Sequence, residues 1–266
     1  MDNRIYGEIV DIDSESVQNF YDCRAQNVSG NTPYSAVLLS DHAPELIEEQ
    51  MKIEEELLFP RLKISTQSRV LDIGCGIGRW AERIIPVCDY YYGIDFSQNM
   101  IDIAKKRISR LKKNNYAFEN MSFQKLTEDR SFESDTVVTS VNGEDFGVRL
   151  TKFKFNHVII SGILMYICDH DIRASFSNLR RFLDETCVIF VWEPCGIGQR
   201  LTLKDFPSEA LNGSYNVIYR TRSEYDDFFK IFMEYGFNIT FSEYYSALGG
   251  TVTYTDTDKI YYILER

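Results

Sequence analysis

Histidine is nearly missing from this chain of 266 residues: His42, His157 and His170 are its three, far apart and without ligand spacing. That argues against a histidine-built metal site, and no metal is expected. Paired cysteines are missing too. Cys23, Cys75, Cys88, Cys168, Cys187 and Cys195 form no C-x-x-C pair, and several sit in apolar runs. Buried, reduced thiols of a cytoplasmic protein are the expectation, not a disulfide framework. No apolar run approaches the length that spans a bilayer, and the first residues are too polar for a signal peptide. No membrane partner is expected. Basic charge is in deficit, with 29 Lys and Arg against 40 Asp and Glu, a formal net charge of -11. A nucleic-acid backbone as main partner wants the opposite balance. What remains is ordinary for a globular protein, at 44% hydrophobic and 26% charged residues. The length allows one large α/β domain, or one domain with an added subdomain. No internal repeat appears, and nothing in the residues names an oligomeric state.

What is present centres on Arg69–Trp80, R-V-L-D-I-G-C-G-I-G-R-W. An apolar run around Asp72 leads into Gly74, Gly76 and Gly78, then an amphipathic segment. This reads as strand, glycine turn, helix. Such a turn lets a ligand lie against the main chain, and the new helix offers unpaired N–H groups. The dinucleotide pattern G-x-G-x-x-G fails, because its last position falls on Arg79. An acid, one spacer and G-x-G-x-G is what fits. A second strand follows at Tyr91–Asp95, ending in an acid, with Phe96-Ser97 and a helix from Gln98 to about Leu111 behind it.

Together these stretches resemble the first two motifs of the class I S-adenosylmethionine (SAM)-dependent methyltransferases. The resemblance implies an α/β, Rossmann-like fold: a seven-stranded, mostly parallel sheet with helices on both faces and an N-terminal helical lid. It implies SAM as cofactor and S-adenosylhomocysteine as product. Asp95 would hold the ribose hydroxyls, since a carboxylate accepts from two of them. Gly74, Cys75, Gly76 and Gly78 would line the methionine and ribose, Asp72 would reach the amino group, and Phe96 would lie beside the nucleoside.

Before the motif, Ser14–Gln26 and Glu45–Leu62 read as helices separated by a loop over 30–43, with Pro60 marking the second helix's end. Residues 1–68 are thus expected to form the lid, and 69–266 the methyltransferase domain, within one structural unit. Tyr21 and Arg24 share a helix face and are candidates to close over the cofactor. After the motif, the β-branched run Thr136–Val141 is expected as the third strand, which puts Asp145 and Phe146 at the adenine. His157–Ile167 reads as the fourth strand and its exit; Met165 and Tyr166 stand where the family often carries histidine. An amphipathic helix over Asp171–Leu183 and a fifth strand over Thr186–Trp192 follow, ending in Glu193-Pro194-Cys195-Gly196. The Pro-Cys pair is not a cytosine-methylating nucleophile, because in those enzymes it follows the fourth strand.

The stretch Ile197–Thr221 reads as a long connection, of the kind that usually carries function. In the resembled family it builds the acceptor pocket, an insertion of about 196–222. Tyr219, Arg220 and Arg222 are its substrate candidates, and the arginines point to an anionic acceptor group. Ser223 caps a helix over Glu224–Tyr235 that Gly236 ends, and two closing strands, Asn238–Tyr245 and Lys259–Leu264, complete the sheet. Methyl transfer from a sulfonium needs alignment more than covalent help. Tyr166, His170 and Glu193 lie near strand ends and are the candidates to orient or deprotonate an acceptor. The expectation is methyl transfer to an oxygen or nitrogen of a small polar, anionic metabolite or glycan intermediate. A protein or peptide acceptor, or a non-catalytic SAM-binding regulatory module, are the alternatives.

Overall fold

Runs rich in Val, Ile and Tyr join edge to edge through the middle of the molecule in a computed structural model of the chain, which describes residues 3–26, 34–38, 43–128, 137–138, 148–149, 154–208 and 213–266. In chain order the strands are β1 (Arg4–Tyr6), β2 (Arg69–Ile73), β3 (Tyr90–Asp95), β4 (Tyr116–Asn120), β5 (Val137–Val138), β6 (Val148–Arg149), β7 (Phe155–Ser161), β8 (Leu183–Gly196), β9 (Leu201–Ser208), β10 (Gly213–Tyr219), β11 (Asn238–Tyr244) and β12 (Thr257–Glu265). The helices are α1 (Ser14–Gln26), α2 (Ser35–Leu38), α3 (Pro44–Ile53), α4 (Ala81–Ile84), α5 (Gln98–Ile108), α6 (Phe123–Glu128), α7 (Asp169–Leu179) and α8 (Arg222–Met233).

Seven strands form the main sheet in the order β4-β3-β2-β7-β8-β12-β11. β4, β3, β2, β7 and β8 run parallel, and β12 is antiparallel to both its neighbours. Buried on both faces, the parallel strands need apolar residues throughout. Leu71 and Ile73 of β2 pack with Phe176 of α7 and Phe228 of α8, while Val70 packs the other way, with Ile84 of α4 and Ile101 of α5. Helices therefore cover both faces, and the strands' carboxyl ends meet along one edge.

Three expectations need correction. Among the described residues the third parallel strand is β4, and of the expected strand Thr136–Val141 only Val137–Val138 is described. Tyr-Ala-Phe-Glu-Asn lies beside β3 and buries Tyr116, Ala117 and Phe118, whereas Val137–Val138 pairs only with β6, outside the main sheet. The stretch 197–221 is not an irregular loop. It holds the hairpin β9-β10, which takes β1 as a third antiparallel strand, so the N-terminus and this stretch share a sheet. The second N-terminal helix does not run regularly to Leu62. α3 ends at Ile53, widens into a π turn at Glu54–Leu58 and tightens into a 3-10 turn at Phe59–Leu62, where Pro60 sits.

Candidate active site

At the exit of β2 the N–H groups of Gly74 and Cys75 both donate to the Ile94 carbonyl of β3, at 2.8 and 2.9 Å. This clamps the turn between two strand ends. Gly74 has φ +74°, and a Cβ there would lie 2.1 Å from Cγ2 of Ile163, so the position has room for hydrogen alone. The next alternate N–H, of Gly76, donates to Oδ2 of Asp95 at 2.9 Å, and Ser97 N–H donates to Oδ1 at 2.9 Å. Asp95 is thereby fixed, with one further lone pair on each oxygen. Burial pushes its carboxyl up to about 6, against the pull of those two N–H groups.

Asp95, Gly74 and Gly76 border a cavity of about 500 Å³, walled by Phe96, Met121 and Ile163. Helix α1 lies over it. Tyr21 and Gln18 line it, and Gln18 Nε2 donates to the Phe96 carbonyl at 2.9 Å. The charged residues of its described lining, Glu15, Asp95 and Asp171, are all acidic. A fixed carboxylate with free lone pairs, bare main chain and apolar walls suit a nucleoside with a diol. The same lining suits a cation.

A second cavity, about 480 Å³, adjoins the first. Tyr21, Val37, Gly162 and Tyr166 border both. Its outer wall comes from the β9-β10 hairpin and from residues 251–254. At the junction the tyrosine hydroxyls are linked: Tyr21 donates to Tyr166 at 2.8 Å, and Tyr166 and Tyr215 share a bond of 2.9 Å. Burial raises all these phenols, so they stay neutral.

Tyr166 rides on a short turn, Leu164–Tyr166, that is gripped from both sides. Glu193 accepts the N–H groups of Ile163, Leu164 and Met165 at 2.9, 2.8 and 3.1 Å. Arg220 donates to the carbonyls of Leu164 and Ile167, each at 2.6 Å, and pairs with Asp169 at 2.6 Å. Burial pushes the Glu193 carboxyl up to about 7, opposed by those three N–H groups.

These contacts redistribute the expected roles. Gly74, Gly76, Asp95, Phe96, Tyr21 and Tyr166 come together at the first cavity. Gly78 and Cys75 do not line it: a Cβ at Gly78 would touch Ala104 and Ile108 of α5, and the Cys75 thiol is packed behind Gly93. Asp72 is turned into the sheet, where its carboxylate takes the Tyr91 hydroxyl, so it does not reach the cavity. Arg24 lies over the Phe20 ring instead of lining the cavity. Glu193 is committed to the turn, and His170 is exposed beside Asp171, so neither faces the junction. Tyr219 lines the second cavity. Arg220 is completely buried, Arg222 donates to Ser242 Oγ at 3.0 Å, and neither lines either cavity. Asp145 and Phe146 lie outside the described residues. Met121, Gln18 and Trp192 line the cavities without having been singled out from the sequence. Met121 follows β4 directly and would have been found with that strand.

Residues 71–189 match a family model described as a methyltransferase domain. Over 105 residues the chain is 23% identical to a probable cobalt-precorrin-6B C(15)-methyltransferase (decarboxylating) of Methanocaldococcus jannaschii, a match covering 40% of this chain. It spans 57% of that relative's length. Phosphoethanolamine N-methyltransferase 1 of Haemonchus contortus superposes with a TM-score of 0.65 at 16% identity, over 95% of this chain and 48% of the other. Magnesium protoporphyrin IX methyltransferase of Synechocystis superposes with a TM-score of 0.59 at 13% identity, over 95% of this chain and 99% of the other. At these identities the structural likeness speaks for the fold. No helix among the described residues is long and apolar enough to cross a membrane. The glycine turn, the acid closing β3 and the sheet order all agree with the methyltransferase domain that residues 71–189 match.

Proposed function

We propose that the first cavity holds SAM and that the second holds a small-molecule acceptor, methylated on oxygen or nitrogen. The observation that carries this reading is the shared border of the two cavities at Tyr21, Val37, Gly162 and Tyr166. Asp95 would take the ribose hydroxyls, Phe96 and Met121 the base, and the glycine turn the amino-acid end. The sulfonium supplies an already activated methyl carbon. The chain's own part is alignment, exclusion of water and a neutral hydroxyl at the junction. Residues 1–68 act as the lid and 69–266 as the methyltransferase domain. The 196–222 segment contributes through its hairpin wall, not through Arg220 or Arg222. Those two arginines gave the reason to expect an anionic acceptor, and their commitments elsewhere remove it.

Titration calorimetry with S-adenosylhomocysteine tests the assignment. Asp95→Ala loses two charge-assisted hydrogen bonds, which is expected to weaken binding about 100-fold. Equal affinity in wild type and variant would remove Asp95 from the ribose.

A further inference from the structure

Eight of the residues that line the second cavity are aromatic, among them Trp192, Phe206, Tyr215, Tyr219, Tyr245 and Tyr254. Trp192 lies so close under the junction that a Cβ on Gly162 would sit 2.3 Å from its ring. Two of the rings already carry a cation: Arg4 is 5.8 Å from the Phe206 centroid, and Lys259 Nζ is 4.6 Å from that of Tyr245. The charged groups of the described lining are Arg4, Asp256, Asp258 and Lys259, and none of them borders the first cavity. Both cations have partners, Arg4 with Asp256 at 3.4 Å and Lys259 with Gln50 Oε1 at 2.6 Å. Asp258 accepts from Ser246 Oγ at 2.5 Å. A doubly charged anion entering here would meet ring faces, two carboxylates and two cations that are already engaged.

Among the described residues the junction has no base. Tyr21 and Tyr166 are neutral phenols, held so by burial. Glu193 is spent on three backbone N–H groups, and His170 is on the surface. A hydroxyl carries one donor and two acceptor sites. Tyr166 uses one acceptor site for Tyr21; its bond with Tyr215 can run in either direction. When Tyr166 donates to Tyr215, one lone pair is left at the boundary of the two cavities. That lone pair can accept an N–H or O–H and aim the atom behind it. It cannot remove a proton to form an alkoxide.

From the ring-walled cavity and the baseless junction we propose that the acceptor is an amine: a small molecule with an apolar or aromatic body, methylated on a neutral nitrogen that hydrogen-bonds to Tyr166. This rests on the reading of the two cavities given above. The nitrogen lone pair forms the new N–C bond, the C–S bond breaks, and its electron pair stays on sulfur. The sulfonium becomes a neutral thioether and the nitrogen becomes an ammonium, which then releases its N–H proton to water. An amine that arrives as ammonium first gives its proton to water, and the transfer itself then needs no base. The positive charge passes from sulfur into a cavity walled by aromatic faces, where cation–π attraction holds it. An alcohol would need its proton taken as the bond forms, and no described residue at the junction takes it.

The test uses the full chain saturated with S-adenosylhomocysteine, with saturation verified first by calorimetry. Four probes of one shape are then titrated: phenethyltrimethylammonium, its neutral carbon isostere (3,3-dimethylbutyl)benzene, 3-phenylpropionate and phenethyl phosphate. The ammonium is expected to bind at least tenfold more tightly than either anion, and several-fold more tightly than the isostere. Tyr254→Leu, at a side chain 66% exposed and so without risk to the fold, should lower ammonium affinity several-fold and leave the isostere unchanged. Equal or tighter binding of an anion, binding of none of the four, or an equal loss for both probes in the variant would overturn the proposal. Failure of S-adenosylhomocysteine itself to bind would instead overturn the assignment of the first cavity.

Discussion

The two cavities are almost equal in volume, about 500 and 480 Å³, and are made of different material. The first is shaped by main chain. A glycine turn, three backbone N–H bonds and one carboxylate at neighbouring strand ends define it. The second is shaped by side chains gathered from Arg4 to Lys259. A cavity built from backbone is set by the fold and suits a cofactor that never changes. One built from side chains can be altered residue by residue, and suits an acceptor that differs between enzymes.

If that contrast is right, the largest effect should follow the smallest change in the first cavity. Gly74→Val places branched carbon where Ile163 already sits, on a backbone that L-residues adopt only with strain. The expected loss of S-adenosylhomocysteine affinity is 100-fold or more, read by calorimetry. Retention within threefold would break the claim that backbone defines the site. The next largest effect is structural. Arg220→Met takes the side-chain donor from the Leu164 and Ile167 carbonyls and one of the two arginines from Asp169. Breaking a buried pair by removing one partner costs about 3–5 kcal/mol. For a chain of this size that is a fall in Tm of roughly 10 °C. Acceptor KM should change little in whatever protein remains folded. A stable variant with raised KM would return Arg220 to the second cavity. Smaller again is Tyr166→Phe. It removes the junction hydroxyl but not the ring, so kcat/KM should fall about tenfold while S-adenosylhomocysteine affinity is kept. A loss of both alike would make Tyr166 part of the scaffold only.

The same contrast explains what could be read from residues alone. The glycine turn and Asp95 are local, within 22 residues of one another, and spacing reveals them. β4 was missed because Y-A-F-E-N is short and polar-flanked, and the stronger β-branched signal lay in T-V-V-T-S-V. Which of them joins the sheet depends on the edge that β3 presents. The β9-β10 hairpin was hidden because its alternation is broken by Asp205-Phe206-Pro207 and by the shift between Tyr215 and Val217. Arg220 looked like a loop cation. Its burial depends on Asp169, 51 positions earlier, and on the carbonyls of a turn that no local pattern announces. Glu193 reads as the residue after a strand, but β8 runs on to Gly196, and its use as a cap for three N–H groups follows only from the geometry of β7's exit.

The smallest expected effect separates the cavities by pH. The Asp95 carboxyl is raised to about 6, chiefly by burial, above its ordinary value. A folded state that holds a proton more tightly than the unfolded chain is stabilised at low pH, and that contribution fades as pH rises through about 6. Acidification therefore does not unfold the protein through Asp95. Binding moves the other way, because only the ionised carboxylate accepts from both ribose hydroxyls. S-adenosylhomocysteine affinity should be level above pH 7, fall about twofold at pH 6 and continue to fall below it. Asp72 and Glu193 are raised to about 7 and titrate nearby, so Asp95→Asn is the control. It keeps the shape and one acceptor oxygen and cannot titrate. A flat profile in the variant assigns the slope to Asp95. A slope that survives the substitution assigns it to Asp72 or Glu193, and then the coupling between cofactor and sheet runs through buried side chains, not through the backbone turn.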